Sequence, residues 1–185
     1  MLISSDVGLR ARALKAVGEL GRRNLASVVS SSLSAEDTSL RWWAAWSGAL
    51  LGDGVAIPVL QQRGAQKGPY AVKAATMAVR RMPAEAAHRW IRVLAENPET
   101  IRVALCAAGA VGDPTSIPWL IEQMAAPALV RVAGESFTMI TGVDLAYDDL
   151  DTDKPEGFEA GLQRTRKMTM SRWTRMRICR GPMLS

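Results

Sequence analysis

Histidine, cysteine and aromatic residues are scarce in this sequence. Its 185 residues include one histidine, two cysteines and 5% aromatic residues. A histidine-based catalytic triad could therefore use only His88. A four-ligand zinc site would need all three of these histidine and cysteine residues and a carboxylate as the fourth ligand. Strands of a β-sandwich favour aromatic and β-branched residues. The composition instead favours closely packed helices rich in alanine, leucine and valine.

Long apolar runs are also missing. No run approaches the roughly 18 residues that cross a bilayer, and the first six residues lack the basic and apolar regions of a signal peptide. Cys106 lies in an apolar stretch and Cys179 in a basic one, so nothing indicates a disulfide framework. We expect a soluble, cytoplasmic protein that does not insert into a membrane.

Acidic residues are absent from the last part of the chain. Residues 163–185 contain seven lysines and arginines and no acid, whereas residues 1–162 contain 16 basic and 18 acidic residues. The sequence pI of about 9.7 is therefore a property of the last 23 residues. Because the remainder is near neutral, we expect no specific nucleic-acid partner for it.

Two stretches 60 residues apart carry the same motif. Residues 48–53 and 109–113 both end in Gly-Asp, and four residues after each aspartate comes Ile-Pro-x-Leu, at 57–60 and 117–120. A basic residue recurs every 29 to 32 positions, at Arg10, Arg41, Lys73, Arg102 and Arg131. A constant period of this length is typical of solenoid repeat proteins.

Each repeat has the pattern of two helices. Ile101, Leu105 and Ala108 recur at helical spacing, and the Gly-Asp pair is expected to end this helix because glycine adopts the left-handed conformation at little cost. Asp113 or Thr115 is then expected to cap the amino terminus of the second helix.

The period predicts the fold class and the domain organisation. We expect an all-α fold, an α-solenoid of about four and a half helix pairs over residues 1–142, followed by an irregular C-terminal tail. In that tail an acidic loop at 143–162 should precede a basic, disordered segment at 163–185. The predicted helix pairs cover 6–36, 37–67, 68–98 and 99–127, with a single helix at 128–141.

This pattern resembles that of HEAT-like repeats, including those of the phycobilin-lyase type. A basic start, an alanine-rich first helix, a Gly-Asp turn and Ile-Pro-x-Leu in the second helix carry the resemblance over about 135 residues. It implies an α-solenoid and implies little about function.

A second resemblance rests on residues 133–145 and 148–161. These stretches resemble an uncharacterised bacterial family of HEAT-repeat proteins encoded near type VI secretion genes, some of them beside lipase-type effectors. Members of that family are about twice as long as this chain. The resemblance implies that the chain is a fragment and that its partner is a secreted effector or a component of its delivery.

The basic segment 163–185 has the features of a reading-frame error. Methionine and tryptophan have single codons, so Met168-Thr169 and Trp173-Thr174 must both read as aspartate in the neighbouring frame. With GC-rich codons, that frame continues the acidic, proline-containing stretch at 144–161. A genuine basic arm that binds nucleic acid or anionic lipid is the alternative, and an inert tail is a third.

Three short motifs carry weak functional signals. Residues 149–160 begin like a calcium loop but lack its glycine and its final glutamate. Ser136 follows Gly-Glu as in a nucleophile elbow, but the second glycine is missing, so a serine inside a helix is favoured. His88 has only Glu85 near it at metal spacing, which favours a histidine at the surface or in a groove.

Large side chains on the second helices are the best candidates for binding a partner, because the second helices line the inner curve of such a solenoid. Trp90 and Trp119 either pack in the core, which is favoured, or are the anchors, flanked by Arg89, Arg92 and Glu122. We expect no catalytic residue, no metal and no cofactor. Of Trp42, Trp43 and Trp46, which crowd one first helix, two are expected to fill the core and one to be exposed.

The predicted function is that of a non-catalytic scaffold for protein–protein interactions, an adaptor or an immunity-like protein for a type VI secretion effector. Two alternatives remain open at this point. One is a lyase-type enzyme on a HEAT-like scaffold, which would need clustered polar residues on the inner face. The other is a truncated product without function.

Overall fold

A computed structural model describes residues 5–145 and 147 of the chain. Within them the chain forms nine α-helices and no β-strand, and all of them belong to one compact unit. The helices are α1 (Val7–Glu19), α2 (Ala26–Ser31), α3 (Thr38–Leu51), α4 (Ala56–Gly64), α5 (Ala71–Val79), α6 (Ala84–Ala95), α7 (Ile101–Val111), α8 (Ile117–Met124) and α9 (Val130–Thr141).

These helices form four consecutive pairs and one further helix. Three single turns of 3₁₀-helix flank the second helices of the first and fourth pairs: Arg23–Leu25, Ser32–Ser34 and Pro114–Ser116. The expected all-α solenoid of helix pairs is confirmed over the described residues. Nearly all of the predicted acidic loop and the whole basic segment, including the calcium-loop motif and Cys179, lie outside them.

The repeated Gly-Asp motif ends first helices as expected. Gly52 and Gly112 follow α3 and α7 with φ angles of 89° and 75°, a left-handed conformation that side chains with a Cβ atom disfavour. The aspartates that follow stabilise the next turn, since Asp53 accepts a hydrogen bond from the Val55 N–H and Asp113 one from the Thr115 N–H. The motif therefore reverses the chain between the two helices of a pair.

First helices of successive pairs approach each other through small residues. A Cβ atom added to Gly18 of α1 would lie 2.6 Å from the Cα of Ser47 in α3, and one added to Gly109 of α7 would lie 3.0 Å from the Cα of Ser136 in α9. The Ser47 hydroxyl donates a 2.7 Å hydrogen bond to the Leu14 carbonyl. Ser136 is buried within α9, so its assignment to a helix interior is confirmed.

The buried side chains fall into two hydrophobic clusters. The first cluster joins α1 to α4 and the second joins α6 to α9, while α5 contributes to both. Ala74 and Ala78 belong to the first cluster, and Ala71, Ala75 and Val79 belong to the second. Helix α5 therefore joins the two clusters into one continuous core.

The tryptophans of α3 differ from the expectation that one of them would be exposed. Trp42 is buried, and both Trp43 and Trp46 are half-buried. The Trp42 ring stacks on Tyr70 with ring centroids 4.8 Å apart, and the Lys15 Nζ atom lies 5.0 Å from the Trp43 ring centroid. The neighbouring helix α1 and the turn before α5 cover the rings that α3 alone could not bury.

Candidate protein-binding groove

A concave site lies between the second helices of the third and fourth pairs. It has a volume of about 520 Å³, which is within the usual range for ligand sites. Helix α6, the 3₁₀ turn before α8, and α8 itself form its walls. Its lining residues are His88, Ile91, Arg92, Ala95, Glu96, Thr115, Ser116 and Trp119.

Helix α6 supplies one wall because it is strongly amphipathic. Its residues Ala87, Ile91 and Leu94 are buried in the second cluster. Residues four apart on a helix share a face, so His88 and Arg92 form a polar stripe beside this buried face. The stripe ends at Glu96, the residue that caps the helix.

The opposite wall is formed by the amino-terminal end of α8, the second helix of the fourth pair. Asp113 caps the 3₁₀ turn that carries Thr115 and Ser116 into the groove wall. One turn further along α8, Trp119 is half-buried and packs against the second cluster while also lining the groove. The neighbouring Leu120 is fully buried and anchors α8 to the core.

One polar contact joins the two walls. The Nε2 atom of His88 lies 3.2 Å from the Oδ2 atom of Asp113, but the geometry is not that of a hydrogen bond. Hydrogen bonds from Thr115 hold the pKa of Asp113 below its usual value, with a smaller contribution from His88. Asp113 is therefore a carboxylate near neutral pH, and it attracts His88 whenever the imidazole is protonated.

The groove combines an aromatic surface with charges of both signs. Trp119, Ile91 and Ala95 provide apolar contact, while Arg92 and Glu96 provide one cation and one anion. Such a lining suits a mixed polar and apolar protein surface, which is the usual composition at interfaces.

The structure brings together two of the five predicted binding residues, Arg92 and Trp119, in the groove lining. Arg89 and Glu122 are exposed on α6 and α8 outside this lining, and Arg89 lies 4.0 Å from Glu85. Trp90 contacts both hydrophobic clusters, and its ring approaches Gly64 at the end of α4. Trp90 therefore packs between the second and third pairs.

Three polar lining residues did not emerge from the sequence. Glu96 continues the four-residue spacing of His88 and Arg92, so the periodicity of α6 would have found it. Thr115 was predicted only as an alternative cap, and no role was predicted for Ser116. Their place in the groove depends on how α8 packs beside α6. His88 lies in a groove, one of the two locations expected for it.

Comparison with known proteins agrees with this architecture. Residues 1–80 match the family model for HEAT repeats. The described residues form an α-solenoid, and its first part is similar to HEAT repeats. No curated protein and no solved structure matches it. HEAT repeats generally mediate protein–protein interactions, and such scaffolds are typically non-catalytic.

The HEAT-repeat match ends directly after α5, so the groove lies beyond it. Across residues 5–145 and 147, no group of three or more histidine, cysteine, aspartate or glutamate side chains could hold a metal ion. In the same part of the chain, no helix is long and apolar enough to cross a membrane.

Proposed function

We propose that this HEAT-like solenoid is a non-catalytic scaffold that holds a protein partner in the groove between α6 and α8. The observation that carries the proposal is Trp119, a half-buried aromatic side chain at one wall of a 520 Å³ groove whose other wall presents His88, Arg92 and Glu96. Aromatic and arginine side chains dominate binding energy at protein interfaces, especially where surrounding contacts exclude water.

We further propose that the partner is a secreted effector or a component of its delivery, and that the protein acts in the cytoplasm as an adaptor or an immunity-like protein. Support for the effector comes only from the resemblance of residues 133–145 and 148–161 to proteins encoded near type VI secretion genes. The cytoplasmic location is supported by the absence of a cysteine pattern typical of disulfide-linked secreted domains.

The test is a binding measurement between the purified chain and the effector encoded beside it. Trp119→Ala should weaken binding roughly 30-fold or more, because truncating an aromatic anchor commonly costs about 2 kcal/mol. Arg92→Ala should weaken it less. The matched control is Ile121→Ala, which removes another large side chain of α8, 54% exposed and outside the groove lining.

The result can also contradict the proposal. If Trp119→Ala folds and binds with the affinity of the unchanged chain, the groove is not the binding surface. If Ile121→Ala weakens binding as much as Trp119→Ala, a different face of α8 holds the partner. If the chain binds no effector but turns over a small molecule, the lyase-type enzyme replaces the scaffold.

Of the other four predicted residues, Arg89 and Glu122 are proposed as contacts at the rim of the interface, since both are exposed on the helices that form the groove. Trp90 serves the interface indirectly, because its packing against both clusters fixes the position of α6. Trp90→Ala should therefore lower the stability of the chain together with its affinity.

We also propose that residues 163–185 are translated out of frame, supported by the two aspartate codons that the neighbouring frame must contain. Sequencing the gene in both frames tests this. A chain with the restored frame should bind the effector in the same groove, and an unchanged reading frame in independent sequences would overturn the proposal.

A further inference from the structure

A second cavity lies between α3 and α4, within the second helix pair. Its volume is about 80 Å³, enough for one compact group and too small for a folded partner or a nucleotide. Its lining contains two arginines and no carboxylate, whereas the groove between α6 and α8 includes Glu96. The lining residues are Thr38, Arg41, Trp42, Ala45, Val59, Gln62, Arg63 and Gln66.

Two buried donors that line this cavity have no hydrogen-bond partner. Trp42 is only 4% exposed, and its Nε1 atom is unpaired. The Nε atom of Arg63 is likewise buried and unpaired. A buried donor without an acceptor costs about 1 to 3 kcal/mol, and native structures contain few of them. Two residues that line one cavity thus each carry a buried donor that lacks an acceptor.

The charge of the cavity is positive and uncompensated. Neither Arg41 nor Arg63 forms an ion pair with an acid of the described residues, and the lining carries no acidic side chain. At the corresponding position of the fourth pair, the Arg102 Nη1 atom donates a 2.6 Å hydrogen bond to the Ala128 carbonyl. Arg41 has no such partner among the described residues, so its guanidinium group is available to a ligand.

Aromatic packing holds the two buried donors in place. The Trp42 ring stacks on Tyr70, and the guanidinium carbon of Arg63 lies 5.8 Å from the centroid of the same tyrosine ring. The Arg63 Nη1 atom also lies 3.5 Å from the Gln66 Oε1 atom. Donors fixed before a ligand arrives lose little conformational entropy when it binds.

We propose that this cavity binds a compact oxyanion, a phosphate or a carboxylate group, through the Arg41 and Arg63 guanidinium groups and the Trp42 indole N–H. Arginine suits this role because its planar group can donate two parallel hydrogen bonds to a phosphate or carboxylate. The ligand supplies the acceptor that the two unpaired donors lack.

The experiment measures the thermal unfolding of the full chain with increasing inorganic phosphate, and separately with sodium acetate, at constant ionic strength. A bound ligand raises the melting temperature by mass action. The variants are Arg41→Gln, which removes an exposed cation, and Trp42→Phe, which keeps an aromatic ring and removes the N–H. The matched control is Arg12→Gln, which removes an exposed arginine of α1 that does not line the cavity.

The unchanged chain and Arg12→Gln should show the same anion-dependent rise. Arg41→Gln and Trp42→Phe should need roughly tenfold more anion for the same rise, because each has lost a donor to the anion. All four chains keep the basic segment 163–185, so anion binding there contributes equally to each. A response to phosphate alone identifies a phosphate site, and a response to acetate as well identifies a general oxyanion site.

An equal rise in all four chains would overturn the proposal, because salts such as phosphate stabilise many folded proteins without binding to a site. No rise in the unchanged chain would overturn it as well. If Trp42→Phe were more stable than the unchanged chain and kept its full response to phosphate, the indole N–H would be an unpaired donor with no ligand.

Discussion

The two hydrophobic clusters of this solenoid are built from different side chains. The first cluster buries Trp42, and Trp43, Trp46 and Tyr70 pack against it. In the second cluster no aromatic residue is fully buried, and α7, the first helix of the fourth pair, packs through alanine. Large rings leave gaps and bring polar atoms inside, and the cavity beside Trp42 is one such gap. In the second cluster, small residues let the helices approach closely, and the concave space lies at the surface, between α6 and α8.

The difference also separates the two sites by charge. The cavity of the second pair has two arginines and no acid, while the groove of the third and fourth pairs includes Arg92 and Glu96. One half of the chain thus suits a small anion and the other suits a protein surface with mixed charges. Four predictions test how far this contrast extends.

The largest effect is expected from truncating the equivalent buried leucines of the two clusters. Leu60 and Leu120 end the repeated Ile-Pro-x-Leu motif and are both fully buried. Leu60→Ala and Leu120→Ala should each lower the free energy of unfolding by about 2 to 5 kcal/mol, because each loses apolar contact and leaves a cavity. Urea unfolding followed by circular dichroism measures both.

The control for these variants is Leu20→Ala, since Leu20 is 72% exposed and its truncation should change stability little. A single unfolding transition in both variants would show that the two clusters unfold together. If one variant produced a separate, earlier transition, the continuity of the core through α5 would be wrong.

A smaller effect is expected at the glycines where first helices meet. In Gly18→Ala the new Cβ atom would lie 2.6 Å from a backbone atom of α3, so α1 must shift, at a cost of about 1 to 3 kcal/mol. In Gly109→Ala the corresponding distance to α9 is 3.0 Å, and alanine's better helix propensity, worth about 1 kcal/mol, offsets much of the cost.

Thermal unfolding of the two glycine variants should therefore rank Gly18→Ala below Gly109→Ala. The reverse order would mean that α7 and α9 pack more rigidly than α1 and α3, and that the second cluster is the less adaptable one.

A pH-dependent effect is expected at Asp113. Its pKa is lowered in the folded chain, mainly by hydrogen bonds from Thr115, so the folded state binds protons less readily than the unfolded state. The resulting stabilisation is present above the ordinary value of 3.8 and is lost as the pH falls through the lower folded pKa. Asp113→Asn should therefore be less stable than the unchanged chain near neutral pH, and the difference should shrink on acidification.

Melting temperatures measured from pH 7 to pH 3 check this prediction. If the difference in melting temperature between the two chains stays constant across that range, the charge of Asp113 does not contribute to stability. Asparagine is also a good N-cap, so the two chains would then differ only in how well the side chain caps the turn.

The smallest effect is expected at the surface ion pair between Lys67 and Glu99, in the loops before α5 and α7. The two atoms are 3.4 Å apart, and both side chains are mostly exposed. Exposed pairs contribute little because water and salt screen them. Lys67→Ala should change the free energy of unfolding by no more than about 0.5 kcal/mol, and a larger loss would indicate that this ion pair helps to hold together the loops that lead into the third and fourth pairs.

The fold could be predicted from the sequence because its signals are local and repeated. A 30-residue period, glycines at helix ends and aspartates at helix starts each act within a few residues, and Gly52, Gly112 and Asp113 adopt the expected conformations. The candidate site could be predicted only in part. Arg92 and Trp119 line the groove, but Trp90, on the same helix as Arg92, packs towards α4 instead.

The sequence by itself determined the all-α class, the pairing of the helices and the places where the chain reverses, because hydrophobic period and capping act within one repeat. The tertiary structure alone decided which tryptophans are covered, that Thr115 and Ser116 share a groove with His88, and that Trp42 and Arg63 line one cavity. These outcomes depend on contacts between different repeats, and the distance and angle between packed helices are set by all the side chains at their interface.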